Sequence, residues 1–220
     1  KSKGKIYMIR AVIFDLDGTL IDSRAGIVDS LKFATYEVLG TKINSNLLRI
    51  GPPIKTMIEE IFPDLPSNKV DEIIKVFRDY YDNEGWKSFS VYPDVKSVIE
   101  LLKNNNYLYI ATNKPEIPTI QILKEINILH LFDKVLCYQI EKFSNKSEMV
   151  SNIVLNKNET YLMIGDSLDD CSAASDNNID FVYCDYGFGH LSLIKERVHC
   201  KINQFNDLIK IKGAINVRKY

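Results

Sequence analysis

The chain has 220 residues, enough for one sizeable domain or one domain carrying an insertion, and too few for a large multidomain machine. Hydrophobic residues make up 45% and charged residues 26%, the globular average, which excludes a disordered or fibrous protein. With 28 Lys and Arg against 29 Asp and Glu the formal charge is −1, so no overall field draws in nucleic acid or an anionic membrane, and any anionic ligand must be held locally.

Residues 1–7 precede Met8 as a basic stretch without a signal-peptide cleavage pattern, and are read as an appended or upstream extension without function. The branched apolar run Ile9 to Phe14 predicts a buried strand, followed at once by Asp15-Leu16-Asp17-Gly18-Thr19. Ile27, Leu31, Ala34 and Val38 recur at helical spacing through Arg24 to Leu39, and Gly40 stops the helix. Further helical patterns cover Lys55–Ile61 and Val70–Tyr80, with Pro52, Pro53, Pro63 and Pro66 as punctuation. Residues 22–88 therefore read as a helical module inserted into a domain formed by 8–21 and 89–220.

Beyond Tyr92 the pattern alternates. A helix opening at Pro93 leads to a strand at Tyr107–Ala111, then a helix near Pro118–Ile128 and a strand at Lys134–Tyr138. A helix at Ser147–Leu155, a strand at Tyr161–Ile164, a helix near Asp169–Asn177 and a strand at Phe181–Cys184 complete the series. Such alternation predicts an α/β fold, a Rossmann-like parallel sheet covered on both faces by helices. Four cysteines, Cys137, Cys171, Cys184 and Cys200, show no zinc-binding spacing, and no apolar run approaches the roughly 18–20 residues of a membrane span. The expectation is a cytoplasmic protein with reduced thiols; monomer and homodimer are both compatible with the sequence.

Ligands of parallel sheets bind beyond the carboxyl ends of the strands, so polar residues just after a strand carry the most weight. Asp15 and Asp17 are two apart, and if strand geometry continued through them their side chains would leave on one face. Thr112 with Asn113 and Lys114 follows another strand; Lys146 precedes a helix; Gly165-Asp166-Ser167-Leu168-Asp169-Asp170 follows a third strand. Asp15, Asp17, Asp166 and Asp170 together would concentrate negative charge that a cation must offset. An oxygen-rich set without Cys or His suits Mg²⁺ better than zinc. One of the two N-terminal carboxylates can then attack phosphorus, while the other moves the proton. By chance, an Asp-x-Asp-Gly-Thr string arises in only a few of roughly a thousand chains this long, whereas Gly-Asp-x-x-x-Asp arises in about one in twenty and draws its weight from its place after a strand.

These residues, in this order, resemble the four motifs of the haloacid dehalogenase superfamily of phosphohydrolases, over most of the chain. The resemblance implies Asp15 as nucleophile and metal ligand, and Asp17 as general acid/base and metal ligand through its carbonyl. It implies Thr112, Asn113 and Lys146 as phosphate binders, Asp166 as a direct Mg²⁺ ligand and Asp170 as a direct or outer-sphere support. The helical insert resembles a C1 cap, and Thr112-Asn113-Lys114-Pro115, Ile50-Gly51-Pro52-Pro53 and Tyr186-Gly187-Phe188-Gly189 resemble phosphoglycolate phosphatases. That group usually has a Pro-rich stretch after the lysine, where this chain has Ser147-Glu148-Met149. The implied function is an Mg²⁺-dependent phosphatase acting on small phosphorylated metabolites through an aspartyl-phosphate. A β-phosphoglucomutase-like mutase, a pyrophosphatase or nucleotidase, and a non-catalytic phosphate-binding protein are the alternatives. In the cap, Arg49 or Lys55 is expected to meet the substrate's leaving group. The Gly187-x-Gly189 segment is expected to be a turn, not a nucleotide loop.

Overall fold

In the computed structural model, residues 10–44, 48, 50–139, 142–155, 159–190 and 198–211 are described. They form two compact units, one from residues 22–90 and one from the flanking segments. Two-residue strands β2 (Ile21–Asp22) and β3 (Ser90–Val91) pair where the chain crosses between the units.

The larger unit is built on a six-stranded parallel sheet. Its strands are β1 (Ala11–Phe14), β4 (Tyr107–Thr112), β5 (Lys134–Cys137), β6 (Tyr161–Gly165), β7 (Asp180–Cys184) and β8 (Cys200–Ile202), in the spatial order β5-β4-β1-β6-β7-β8. Strand β1 is wholly buried, because a central strand covered on both faces has no side that can be polar. Phe14 meets Phe132 edge-on at 6.2 Å and Phe205 at 6.0 Å. Truncating such a residue to Ala typically costs about 3–5 kcal/mol. From β1 the chain builds outward through β4 and β5, then returns to build the other side through β6, β7 and β8. The order therefore reverses beside β1, the place where open α/β sheets receive ligands at their carboxyl ends.

The connecting helices are α4 (Val95–Lys103), α5 (Glu116–Glu125), α6 (Lys146–Ser151) and α7 (Leu168–Asp176). Strand β8 has no counterpart among the sequence-based expectations: three residues with Lys201 at the centre form an edge strand whose alternation is too short to read. Helix α6 begins at Lys146 and ends at Ser151, shorter than the expected Ser147–Leu155.

The smaller unit holds α1 (Arg24–Leu39), α2 (Ile54–Ile61) and α3 (Ser67–Asn83). Helix α1 ends where Gly40 adopts φ 66°, its N–H returning to the Tyr36 carbonyl at 2.8 Å. Its buried face differs from the predicted apolar stripe. Gly26, Ser30 and Thr35 are buried with Leu31 and Ala34, whereas Ile27 and Val38 are only half-buried. Close approach to Gly85 requires the small Gly26 and Ser30, and the buried Ser30 and Thr35 hydroxyls are satisfied by carbonyls one turn back, at 2.7 and 2.8 Å.

Among the described residues no helix is long and apolar enough to cross a membrane, and no disulfide joins the four cysteines.

Candidate active site

Strand β1 stops at Phe14, so the expected continuation of strand geometry through Asp17 does not hold. The chain turns instead: the Leu16 carbonyl accepts from the N–H groups of Thr19, Leu20 and Ile21, and Gly18 supplies the φ of 82° that the turn requires. Asp15 and Asp17 consequently meet different cations. Lys146 Nζ lies 2.8 Å from Asp15 Oδ1, and Lys114 Nζ lies 3.0 Å from Asp17 Oδ1.

Lys146 is the first residue of α6, and the helix start is fixed locally. Asn145 caps it by accepting from the Glu148 N–H at 2.9 Å, while Glu148 accepts from the Ser144 N–H and hydroxyl. From that position the buried ammonium bridges Asp15 and, at 2.7 Å, Asp170 Oδ1. The other Asp170 oxygen accepts from the N–H groups of Asp166 and Ser167 and from the Ser167 hydroxyl. Ser167 returns the contact by capping α7, so Ser167 and Asp170 form a capping box. Asp170 is therefore committed through both oxygens to holding Lys146 and the Gly165–Ser167 turn, the position of a support for the cluster.

Asp166 follows β6, which pairs with β1 so that Ile164 stands opposite Phe14. Its Oδ2 accepts from the Phe188 N–H at 2.5 Å and from the Gly189 N–H at 3.2 Å. The Gly187-x-Gly189 segment is the turn expected from the sequence, and it also orients this carboxylate, a role that sequence reasoning missed. Methyl groups at Gly18 or Gly187 would overlap the Asp166 side chain, and one at Gly189 its carbonyl oxygen. Tyr186, beside the turn, donates to the Thr19 carbonyl at 2.9 Å.

Asp15, Asp166 and Asp170 offer oxygens that lie within 4.8 Å of one another, and all three residues are buried. Burial raises the Asp15 carboxyl well above the ordinary carboxylate range; Lys146 opposes the shift, and Asp170 and Asp166 reinforce it. Burial, then Asp170, raises Asp166 to about 7 against the pull of the Phe188 N–H and Lys146. For Lys146, burial works to lower its pKa, but Asp15 and Asp170 outweigh burial and keep the ammonium charged. Three carboxylates against one ammonium leave an excess of two negative charges when all are ionised. An all-oxygen donor set with that excess fits a hard divalent cation.

Thr112 ends β4 on the opposite side of β1, where Phe14 stands opposite Ile110, so Thr112 and Asp15 leave neighbouring strands at the same end. The buried Thr112 hydroxyl accepts from the Lys114 N–H at 3.2 Å. The Asn113 amide turns to Asp169, donating to its Oδ2 at 3.0 Å. Lys114 went unassigned in the sequence, where a lysine after a strand reads as a solvated charge; burial of its side chain was the missing signal. In the smaller unit Lys55 is exposed and stands 3.9 Å from Glu59 on its own helix, and Arg49 lies outside the described residues. A buried carboxylate beside a lysine, with oxygen ligands for a cation at the same strand ends, is equipped to bind and attack a phosphoryl group.

Residues 12–184 match the model of the haloacid dehalogenase-like hydrolases. The chain is 28% identical over 213 residues to a 5'-nucleotidase of Pseudomonas aeruginosa, covering 93% of this chain and 94% of that one. It is 29% identical over 198 residues to a phosphoglycolate phosphatase of Vibrio cholerae, covering 83% and 87%. A predicted phosphatase from Clostridium acetobutylicum has a crystal structure that superposes with a TM-score of 0.82 at 28% identity, over 92% of this chain and 97% of that one. With these relatives, and with the carboxylates and lysine gathered at the strand ends, the chain belongs to the haloacid dehalogenase-like hydrolase family and is a phosphate-monoester hydrolase.

Proposed function

We propose that the protein is a cytoplasmic, Mg²⁺-dependent phosphatase of the phosphoglycolate phosphatase type that works through an aspartyl-phosphate on Asp15. The observation that carries this reading is the bridge from Lys146 to Asp15 and Asp170 inside a buried acidic cluster. In the first step an Asp15 oxygen bonds to phosphorus as the bond from phosphorus to the leaving oxygen breaks, and Asp17 protonates that oxygen. In the second, water attacks the phosphorus, gives its proton to Asp17, and releases inorganic phosphate as the Asp15 carboxylate re-forms. Lys146 opposes the rise that burial imposes on the Asp15 carboxyl and, with Thr112 and the Asn113 segment, would face the phosphoryl oxygens. Asp15, Asp166 and the Asp17 carbonyl would hold Mg²⁺, with Asp170 as the support behind them. When bound, the cation offsets the charge of the carboxylates and of the phosphate dianion.

The proposed cap, residues 22–88, would recognise the part of the substrate beyond the phosphate, with Arg49 or Lys55 as contacts for a second anionic group. The 5'-nucleotidase relative favours nucleoside monophosphates as a second substrate class. A panel of phosphorylated metabolites assayed with and without Mg²⁺ tests the reading. Release of inorganic phosphate from carboxylate-bearing or nucleoside monoesters, only with the cation, is the expected result. Isomerised product without phosphate release would instead assign a mutase, cleavage of pyrophosphate alone a pyrophosphatase, and binding without turnover a phosphate sensor.

A further inference from the structure

A second buried lysine serves the second aspartate. The Lys114 side chain is 4% exposed, against 21% for its partner Asp17. Taking an ammonium out of water costs several kcal/mol unless it is paired, so a lysine at this position is a poor choice for packing alone. Its backbone is pinned on both sides. The N–H donates to Thr112 Oγ1, the carbonyl shares the Tyr138 N–H with that of Thr112 at 3.3 and 3.0 Å, and Pro115 follows at the cap of α5. Asp17, by contrast, stands on a turn beyond the end of β1, where a single isolated bridge to Ile21 replaces a ladder. A rigidly mounted cation thus holds a carboxylate mounted on a turn.

We propose that Lys114 is a positioning residue, whose ammonium fixes the Asp17 carboxylate in the orientation that exchanges a proton with the leaving oxygen. The inference rests on the phosphatase reading above. The two lysines then have separate roles, Lys146 serving the atoms that bond to phosphorus and Lys114 serving the proton. A lysine that bound the substrate phosphate directly would act on KM and on every substrate alike; one that acts through Asp17 acts on kcat, and only where the leaving group needs a proton.

The test compares Lys114→Met with wild type on an alkyl phosphate and on p-nitrophenyl phosphate, whose leaving group departs without protonation. The expected result is a loss of about tenfold or more in kcat on the alkyl ester, with KM and aryl phosphate turnover within about threefold of wild type. In an Asp17→Asn background the same substitution should add less than about twofold on the alkyl ester, since its route is already cut. Lys114→Arg should recover most of the lost rate. Equal losses on both esters, a rise in KM alone, or full additivity with Asp17→Asn would overturn the proposal. If the methionine variant does not fold, Lys114→Gln and Lys114→Arg carry the comparison, and an arginine variant as impaired as the glutamine one would overturn it. Wild-type protein inert toward every phosphomonoester would overturn the phosphatase reading itself. Wild-type turnover with unselective Lys114 variants would overturn this inference alone.

Discussion

The two units use charge in opposite ways. In the larger unit the decisive pairs are buried and join residues far apart in the chain: Lys146 and Asp15 are separated by 131 positions, Lys146 and Asp170 by 24. In the smaller unit the described pairs are surface neighbours in the chain, Lys32 with Asp29, Lys55 with Glu59, Lys69 with Glu72 and Lys87 with Glu84, each at i,i+3 or i,i+4 and exposed. A surface pair of that kind contributes a few tenths of a kcal/mol and survives replacement, whereas a buried ion loses its compensation when its partner is removed. Charge that is costly to bury is kept at the carboxyl ends of the strands; charge on the helical unit is exposed and can be replaced at little cost.

Substituting Asp15→Asn strikes the comparison hardest. The amide keeps the shape and cannot attack phosphorus, so turnover should fall by at least about a thousandfold with the circular dichroism spectrum unchanged. Near-normal activity would remove Asp15 from the mechanism.

Replacing Lys146 with Met leaves Asp15 and Asp170 buried with their shared cation gone. Removing one partner of a buried pair costs roughly 3–5 kcal/mol, which denaturant unfolding would register, and activity should be lost with it. Stability equal to wild type would mean that the cluster is wetter than its burial implies.

Proton and cation should compete for the cluster. With Asp166 raised to about 7, its folded state holds a proton between the ordinary carboxylate pKa and about 7, while the unfolded chain has released it. In that window the cation-free protein loses stability as pH rises, and Mg²⁺ should restore it. The Mg²⁺-induced rise in thermal midpoint is therefore expected to grow from acidic pH to above about 7, and to vanish in Asp166→Ala. A pH-independent rise, or full activity after exhaustive EDTA treatment, would place the cation elsewhere.

The smallest effect is expected in the helical unit. Lys55→Ala should change stability by less than about 0.5 kcal/mol. If Lys55 meets substrate, kcat/KM on the natural substrate should fall more than about tenfold while p-nitrophenyl phosphate hydrolysis is unaffected. Arg49→Ala is the parallel variant, and losses matched on both substrates would move specificity away from these residues.

Several features were determined by the sequence alone. Helix α1 runs from Arg24 to Leu39 as its periodicity and Gly40 predict, and the strand cores at Val12–Phe14, Tyr107–Ala111 and Tyr161–Ile164 stand where the branched apolar runs place them. Local rules suffice there, because helix stops and buried strands are written in consecutive residues. What only the tertiary structure decided is pairing across the chain. No local signal says that Lys146 bridges Asp15 and Asp170, that Lys114 is buried against Asp17, or that the Phe188 and Gly189 N–H groups aim Asp166. These contacts exist because β4, β1, β6 and β7 lie side by side and bring their carboxyl ends together. The energy of burying a charge depends on which opposite charge arrives there, and that is settled by strand order and not by spacing in the chain.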